Sequence, residues 1–189
     1  MANQYFNFYY DPTRQGYDTN TWTTIAGAPV VIANQLSLTN AECIHFADLL
    51  PGDATFSVNM AEPAAGFDTE FGFYGSPQQQ SFLVFRVVDD VLTAEISNGT
   101  QTSSTVIDWD TAWNNTPTEF RIKWEAGMAT FFIGGVQKVC VTDVEAIDKG
   151  DDIIIPNSPL SLDLYTDGGE TLLVNYIIVK TIQSSTLLE

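Results

Sequence analysis

The chain has 189 residues, of which 44% are hydrophobic and 12% aromatic, so it can bury a substantial core as one domain. Its 7 basic and 24 acidic residues give a net charge of -17, which excludes a nucleic-acid-binding surface, because such surfaces need clustered Lys and Arg. No apolar run approaches the roughly 18 residues of a transmembrane helix, and the N-terminal sequence lacks the basic and apolar regions of a signal peptide. We therefore expect neither nucleic acid nor a membrane among its partners.

Short strand-like runs, separated by turn residues, recur along the chain. Asp89-Asp90 and Asn98-Gly99 are typical of tight turns between such runs. The pattern predicts an all-β fold, an antiparallel two-sheet β-sandwich or jelly roll, as a single domain over residues 1–182 with a C-terminal tail at 183–189. The predicted strands lie near Val30–Ile32, Gln35–Leu38, Thr55–Met60, Phe67–Tyr74, Ser81–Val88, Val91–Ile96, Thr105–Asp108, Phe120–Trp124, Ala129–Ile133, Gln137–Val141, Leu160–Tyr165 and Leu172–Val179.

The clearest pattern is a pair of hairpins between Thr118 and Val139. Apolar Phe120, Ile122 and Trp124 alternate with charged residues, which predicts a strand with one buried face and one solvated face. Glycines then permit the reversals, Gly127 after this strand and a Gly-Gly pair after the next one. These residues indicate structure and no chemistry.

Four blocks of the chain have a recognisable order and spacing: an aromatic strand with an early Trp, a short strand, the hairpin just described and a terminal pair of strands. They are Tyr5–Tyr10 with Trp22, Asn34–Leu38, Phe120–Gly134, and Pro159–Leu164 with Leu172–Val179. In this order they resemble the concanavalin A-like lectin/glucanase superfamily, particularly its laminarinase-like and laminin-G-like branches. The resemblance covers nearly the whole chain and implies a concanavalin A-like jelly roll. Because the blocks consist of core and turn residues, they indicate fold more than function.

Glucanases of this superfamily have an E-x-D-x-E motif on one strand, in which the first Glu is the nucleophile and the last is the general acid/base. The matching stretch here begins at Gly66, and Asp68 and Glu70 follow, about 6.6 Å apart along the strand. Glycine has no side chain to attack a sugar, so the retaining mechanism that the resemblance implies lacks its first step. We therefore expect Asp68 and Glu70 to be ordinary outward-facing carboxylates, and the protein not to be an enzyme.

Lectin-like members of the superfamily bind sugars on exposed aromatic rings with polar groups nearby. Trp109 and Trp113 are the first candidates, because acidic and polar residues surround them, and the alternative is that both plug the end of the sandwich. The full set of glycan-binding candidates is Trp109, Trp113, Tyr74, Tyr165, Asp68 and Glu70.

We expect no catalytic metal or cofactor. Calcium needs several converging oxygen ligands, and neither acidic cluster has the spacing of a calcium loop. Many members of the superfamily have an Asp in the final strand where this chain has Asn175, so a structural calcium ion is possible but not supported. The two clusters are Asp148 with Asp151 and Asp152, and Asp163 with Asp167.

Three functions remain. The first is a non-enzymatic structural or adhesive module, most simply a bacteriophage capsid decoration protein that binds capsid protein or itself, located on the virion surface or outside the cell. The alternatives are a carbohydrate-binding domain of a secreted protein and, set back by Gly66, a glucanase-like hydrolase. The assembly contacts would be the basic residues of the hairpins and the C-terminal leucines, which are Arg121, Lys123, Lys138, Leu187 and Leu188.

Overall fold

The computed structural model describes residues 4–45, 49, 51–75, 80–143, 155–156 and 159–183. Within these residues, helix α1 (Pro12–Gln15) and a 3₁₀ helix (Thr111–Trp113) are single turns, and no helix is long and apolar enough to cross a membrane. The strands are β1 (Gln4–Tyr10), β2 (Trp22–Ala26), β3 (Val30–Ile32), β4 (Gln35–His45), β5 (Gly52–Asn59), β6 (Asp68–Tyr74), β7 (Ser81–Val88), β8 (Val91–Asn98), β9 (Thr102–Ile107), β10 (Thr118–Glu125), β11 (Met128–Ile133), β12 (Val136–Thr142) and β13 (Ser161–Gln183).

The strands pair antiparallel in one continuous ladder that folds back on itself into two layers. In the first sheet, the first part of β13 lies between β4 and β6, and β7, β8 and β9 follow in order. In the second sheet, the last part of β13 lies beside β5, and β10, β11 and β12 follow. The two parts of β13 join at a register shift between Thr166 and Thr171, where Gly168 and Gly169 have positive φ. The structure therefore merges the two predicted terminal strands into one bent strand that belongs to both sheets.

Aromatic rings fill the space between the sheets. Phe71 of the first sheet lies 5.2 Å from Phe120 of the second, and Phe85 lies 5.1 Å from Phe120 and 5.2 Å from Phe131, measured between ring centroids. Such edge-to-face contacts add to the hydrophobic gain of burying the rings. The predicted all-β sandwich is confirmed.

The two predicted hairpins are present. β10, β11 and β12 pair in sequence, and Phe120, Ile122 and Trp124 are buried on the inner face as the alternation predicts. Their turns contain Gly127, and then Gly134 and Gly135, with φ of 73°, 57° and 78°, a region that favours glycine. This part of the fold follows directly from the sequence.

Candidate active site

The outer face of the first sheet brings together polar side chains from six strands. In an antiparallel sheet, paired residues point to the same side, so the strand register lines them up in rows. One row runs through Glu42, Tyr165, Glu70, Arg86 and Thr93, and the next runs through Ile44, Asp163, Gly72, Val84, Glu95 and Ser104. We call the charged part of this surface the acidic face, and it consists of Glu42, Asp68, Glu70, Arg86, Glu95 and Asp163.

Arg86 lies at the centre of the acidic face. Its Nη2 is 3.8 Å from Asp68 Oδ2, its Nε is 3.9 Å from Glu70 Oε2, and its Nη1 is 3.9 Å from Glu95 Oε2. These distances allow electrostatic attraction but are too long for good hydrogen bonds. Thr93 and Ser104 donate hydrogen bonds of 3.1 Å and 3.3 Å to Glu95 Oε1. One guanidinium thus holds three carboxylates loosely.

Burial changes the acidity of these carboxyl groups. The Glu70 side chain is only 12% exposed, and burial raises its pKa to about 7, with Arg86 opposing and the charges of Glu95 and Asp68 adding to the rise. Burial also raises the pKa of Asp68, against the opposing charge of Arg86. For Asp163, 4% exposed, burial and then the charges of Glu70 and Glu42 raise the pKa well above its usual range. Shifts of this kind cluster at functional sites.

Several buried polar atoms of the acidic face lack a hydrogen-bond partner. Among the described residues six such side-chain atoms occur, and three of them are Asp68 Oδ1, Arg86 Nε and Asp163 Oδ1. Buried polar atoms are normally paired, so each exception needs an explanation. Three exceptions on one face indicate a surface prepared for a ligand.

Two aromatic groups flank the carboxylates. Tyr74 of β6 stacks on Phe82 of β7 with ring centroids 5.8 Å apart and planes 6° apart, and both rings are half-buried. Tyr165 lies between Glu42 and Glu70 in the same row. Four of the six predicted glycan-binding candidates, Asp68, Glu70, Tyr74 and Tyr165, therefore share one face.

Trp109 and Trp113 lie elsewhere. They contact each other edge to face at 5.4 Å, and Trp113 packs 6.1 Å from the core ring of Phe120. Trp109 Nε1 donates a 2.7 Å hydrogen bond to Asn114 Oδ1. Both rings are half-buried against the core, which is the arrangement expected of plugs at the end of the sandwich.

The basic candidates lie on the second sheet and its surroundings. Arg121 donates from Nε to Asp53 Oδ1 at 2.7 Å, and Lys123 Nζ is 2.9 Å from Glu125 Oε2. Lys138 Nζ lies 5.4 Å from the ring centroid of Trp113, within cation–π range. Leu187 and Leu188 are outside the described residues.

Gly66 lies two residues before Asp68, the first residue of β6. Its N–H donates to Asp89 Oδ1 at 2.8 Å, and no atom lies within 4 Å of the place where a side chain would begin. The structure therefore offers no nucleophilic side chain at this position. Asp68 and Glu70 do point outward, but neither is an ordinary solvated carboxylate.

Among the described residues no group of His, Cys, Asp and Glu side chains is arranged to hold a metal ion. The amide of Asn175 is engaged, because its Oδ1 accepts a 2.8 Å hydrogen bond from Gln35 Nε2. The cluster at Asp148, Asp151 and Asp152 lies outside the part of the chain that is described.

The architecture matches solved glycan-processing structures. The laminarinase catalytic domain of Thermotoga maritima superposes with a TM-score of 0.80 at 10% identity, covering 97% of this chain and 100% of the other. A lichenase from a mouse hindgut metagenome gives 0.74 at 12%, covering 93% and 99%. The apo Crh5 transglycosylase gives 0.74 at 14%, covering 94% and 85%. The fold is a concanavalin A-like jelly roll. The resemblance inferred from the sequence is thereby confirmed, although no family model and no curated protein matches the sequence.

Two predictions are corrected. The prediction of a non-enzymatic, virion-surface decoration module is wrong, and so is the prediction that the protein is not an enzyme, because the three solved jelly rolls compared above are two glucanases and a transglycosylase. The physical error was to treat the acidic residues as a solvated surface. Sheet pairing instead buries most of the Glu70 side chain and nearly all of Asp163. The charge of Glu70 then adds to the rise in the pKa of Asp163.

Sequence reasoning missed Arg86 and Glu95. Each is a charged residue in the middle of an apolar strand, between Phe85 and Val87 in one strand and between Ala94 and Ile96 in the next. A charge at an outward position of such a strand was the available signal. The role of Glu42 depended on pairing with β13 and had no local signal.

Proposed function

We propose that this protein is a glycoside hydrolase that acts on a β-glucan at the acidic face. The observation that supports this most is Glu70, whose pKa of about 7 keeps a proton available near neutral pH, next to further carboxylates. Cleavage of a glycosidic bond needs a protonated carboxyl group to donate to the leaving oxygen and a second carboxylate opposite it. A glycan polymer is an extracellular substrate, so we also propose that the protein acts outside the cell.

Glu70 is the general acid in this proposal, and Asp68 is the general base. Arg86 opposes the rise in the pKa of Asp68, which favours the ionised form that a base needs. The two carboxylates are two residues apart on β6, about 6.6 Å along the strand between their backbone positions, so both lie on the same face of the sheet. Gly66 offers no side chain to attack the sugar at the position where a retaining enzyme has its nucleophile. We therefore propose hydrolysis with inversion of the anomeric centre.

The test uses soluble β-1,3- and mixed-linkage β-glucans and measures release of reducing ends. Wild-type protein should cleave at least one of them, and Glu70→Gln should lower kcat by roughly 100-fold or more without abolishing binding, because general acid catalysis contributes on this scale. Glu125→Gln, on the second sheet, is the matched control and should retain activity. No cleavage by the wild type, or full activity in Glu70→Gln, would contradict the proposal. Proton NMR of the first products should show the inverted anomer, and a retained anomer would exclude Asp68 as base.

Glycan binding without cleavage is the second candidate, and the stacked pair of Tyr74 and Phe82 favours it. Aromatic faces next to polar groups are the usual platform for sugar rings. Tyr74→Ala should then weaken glycan binding while leaving the fold intact, since the ring is half-buried on an outer face. Wild-type binding that depends on Tyr74, together with an absence of cleavage, would favour this reading over hydrolysis.

A further inference from the structure

The acidic face has far more negative than positive charge. It contains five carboxyl groups, Glu42, Asp68, Glu70, Glu95 and Asp163, and one guanidinium, that of Arg86, which forms ion pairs with Asp68, Glu70 and Glu95. The whole chain has a net charge of -17, so the surrounding field reinforces this local excess and attracts cations. A neutral sugar can donate hydrogen bonds to such a surface, but it leaves the charge uncompensated.

Asp163 is the most deeply placed of these groups and has an unmet hydrogen-bonding capacity. It alternates with Leu162 and Leu164 of the core, so it points to the acidic face, yet it is only 4% exposed. Its Oδ1 has no hydrogen-bond partner among the described residues. Neither cross-strand neighbour can provide one, because Ile44 is apolar and Gly72 has no side chain. The described side chains thus leave this acceptor unmet, and a donor from water or from a ligand would satisfy it.

A metal ion does not fit these observations. The described residues contain no group of His, Cys, Asp and Glu side chains arranged to hold one. Arg86 does not serve Asp163 either, because its ion pairs are with Asp68, Glu70 and Glu95. Acceptors spread over three neighbouring rows of the acidic face suit an extended ligand with several separate donors.

We propose that the acidic face binds a glycan that has free, protonated amino groups, and that Asp163 accepts a hydrogen bond from one of them. A primary ammonium group brings three donors and a positive charge, which are the two properties that this surface lacks. Tyr165 lies beside Asp163 on the same strand and offers a ring face to the sugar that bears the amine. The inference rests on the proposed glycan chemistry of the acidic face and narrows it to amino sugars.

The first experiment compares three β-1,4-linked hexasaccharides that differ only at carbon 2: the hexamer of glucosamine, the hexamer of N-acetylglucosamine, and cellohexaose. Isothermal titration calorimetry at about pH 6 should give an affinity for the glucosamine hexamer at least roughly tenfold above that for the other two, as one charge-assisted hydrogen bond provides. The preference should shrink as salt increases, because exposed charge is screened. Equal affinity for the three hexamers would overturn the proposal.

The second experiment assigns the contact to Asp163. Asp163→Asn keeps the shape of the side chain but cannot form the carboxylate that an ammonium group stabilises, so it should weaken binding of the glucosamine hexamer roughly tenfold and change cellohexaose binding little. Asp108→Asn is the control, since Asp108 is exposed and follows β9, at the far edge of the first sheet. Unchanged amine binding in Asp163→Asn would overturn the assignment.

A third measurement needs only wild-type protein and so does not depend on the folding of a variant. An ammonium group placed among partly protonated carboxyl groups favours their ionised form, so binding should release protons. Calorimetry in two buffers of different ionisation enthalpy measures that release. Binding of the glucosamine hexamer without proton release would contradict the proposal.

The same assays separate this inference from the proposed function. Cleavage of a neutral β-glucan with no preference for the amine-bearing hexamer would leave the proposed function standing and remove the inference. Selective binding of the amine-bearing hexamer without cleavage of any glycan would support the inference and remove hydrolysis. Absence of both would remove both.

Discussion

The outer faces of the two sheets place charge in opposite ways. On the outer face of the second sheet, two cations each have a partner: Arg121 binds Asp53, and Lys123 is 2.9 Å from Glu125. We call the surface with these four residues the paired face. On the first sheet Arg86 is shared among three carboxylates at 3.8–3.9 Å, and Asp163 has no cation at all within the described ion pairs. Both sheets consist of antiparallel strands, so strand geometry does not cause the difference.

The comparison separates what stabilises this protein from what it does. Exposed ion pairs such as Lys123 with Glu125 compensate each other's charge and change the free energy of unfolding very little. Buried carboxyl groups with raised pKa values and unpaired atoms lower stability near neutral pH, and proteins retain such groups mainly where a ligand or a reaction uses them. The acidic face is the part of the molecule where local stability is sacrificed.

The largest effect should come from the core that both faces share. Phe71 lies between the sheets, 5.7 Å from Phe56 and 5.2 Å from Phe120, and is fully buried. Phe71→Ala should lower the free energy of unfolding by about 3–5 kcal/mol, measured by denaturant unfolding. Phe132→Ala is the control on the outer face of the second sheet and should cost much less, since its ring is only half-buried. Similar losses at the two positions would mean that the sheets do not pack as described.

The next effect distinguishes the two faces by pH. Glu70 has a pKa of about 7 when folded and an ordinary value of 4.5, so between these values the folded state keeps a proton that the unfolded state releases. The contribution of Glu70 to the free energy of unfolding is therefore fully present below about pH 4.5. It amounts to up to about 3 kcal/mol and is lost as the pH rises through 7. Glu70→Gln has no proton to lose and should be more stable than wild type at about pH 8.

Asp68 and Asp163 contribute with the same sign, so the pH dependence in Glu70→Gln should become shallower but not vanish. Glu125→Gln, from the paired face, should leave the pH dependence of unfolding unchanged. The stability advantage of Glu70→Gln over wild type should grow between about pH 5 and 8, and an advantage that stays constant over this range would contradict the burial of Glu70.

A smaller effect concerns the single shared cation. Arg86 lowers the pKa of Glu70 against the effect of burial, so Arg86→Gln should raise that pKa further above 7. Carbon-13 NMR titration of the Glu70 carboxyl group measures this directly, and the alkaline limit of any hydrolytic activity should move to higher pH. Arg121→Gln removes a comparable charge from the other face and should leave the Glu70 titration unchanged. An unaltered Glu70 titration in Arg86→Gln would mean that the two groups do not interact.

The sequence predicted the paired face better than the acidic face, and the reason is range. Alternation around Ile122 and glycines such as Gly127 act within a few residues, so the hairpins of the second sheet follow from local pattern. The acidic face depends on pairing between strands far apart in the chain. Glu70 meets Asp163 only because β13 pairs with β6, and no local pattern encodes that register.

The functional error had the same origin. The prediction that catalytic carboxylates are absent depended on one strand, in which Gly66 stands in place of a nucleophile. Carboxylates from neighbouring strands, such as Glu95, and the burial that raises the pKa of Glu70 cannot be seen in the sequence of that strand. A motif on one strand is a poor measure of a site that a sheet assembles from five strands.

The smallest predicted effect tests the paired face itself. Lys123 and Glu125 form an ion pair whose side chains are 39% and 44% exposed, and pairs of this kind contribute about 0.2–1 kcal/mol. Lys123→Gln should therefore change the free energy of unfolding by less than about 1 kcal/mol and leave glycan binding and cleavage unaltered. The change should disappear at high salt, because solvent-exposed charges are screened. A loss of activity in Lys123→Gln would show that the second sheet takes part in function, and the contrast between a stabilising face and a reactive face would then no longer hold.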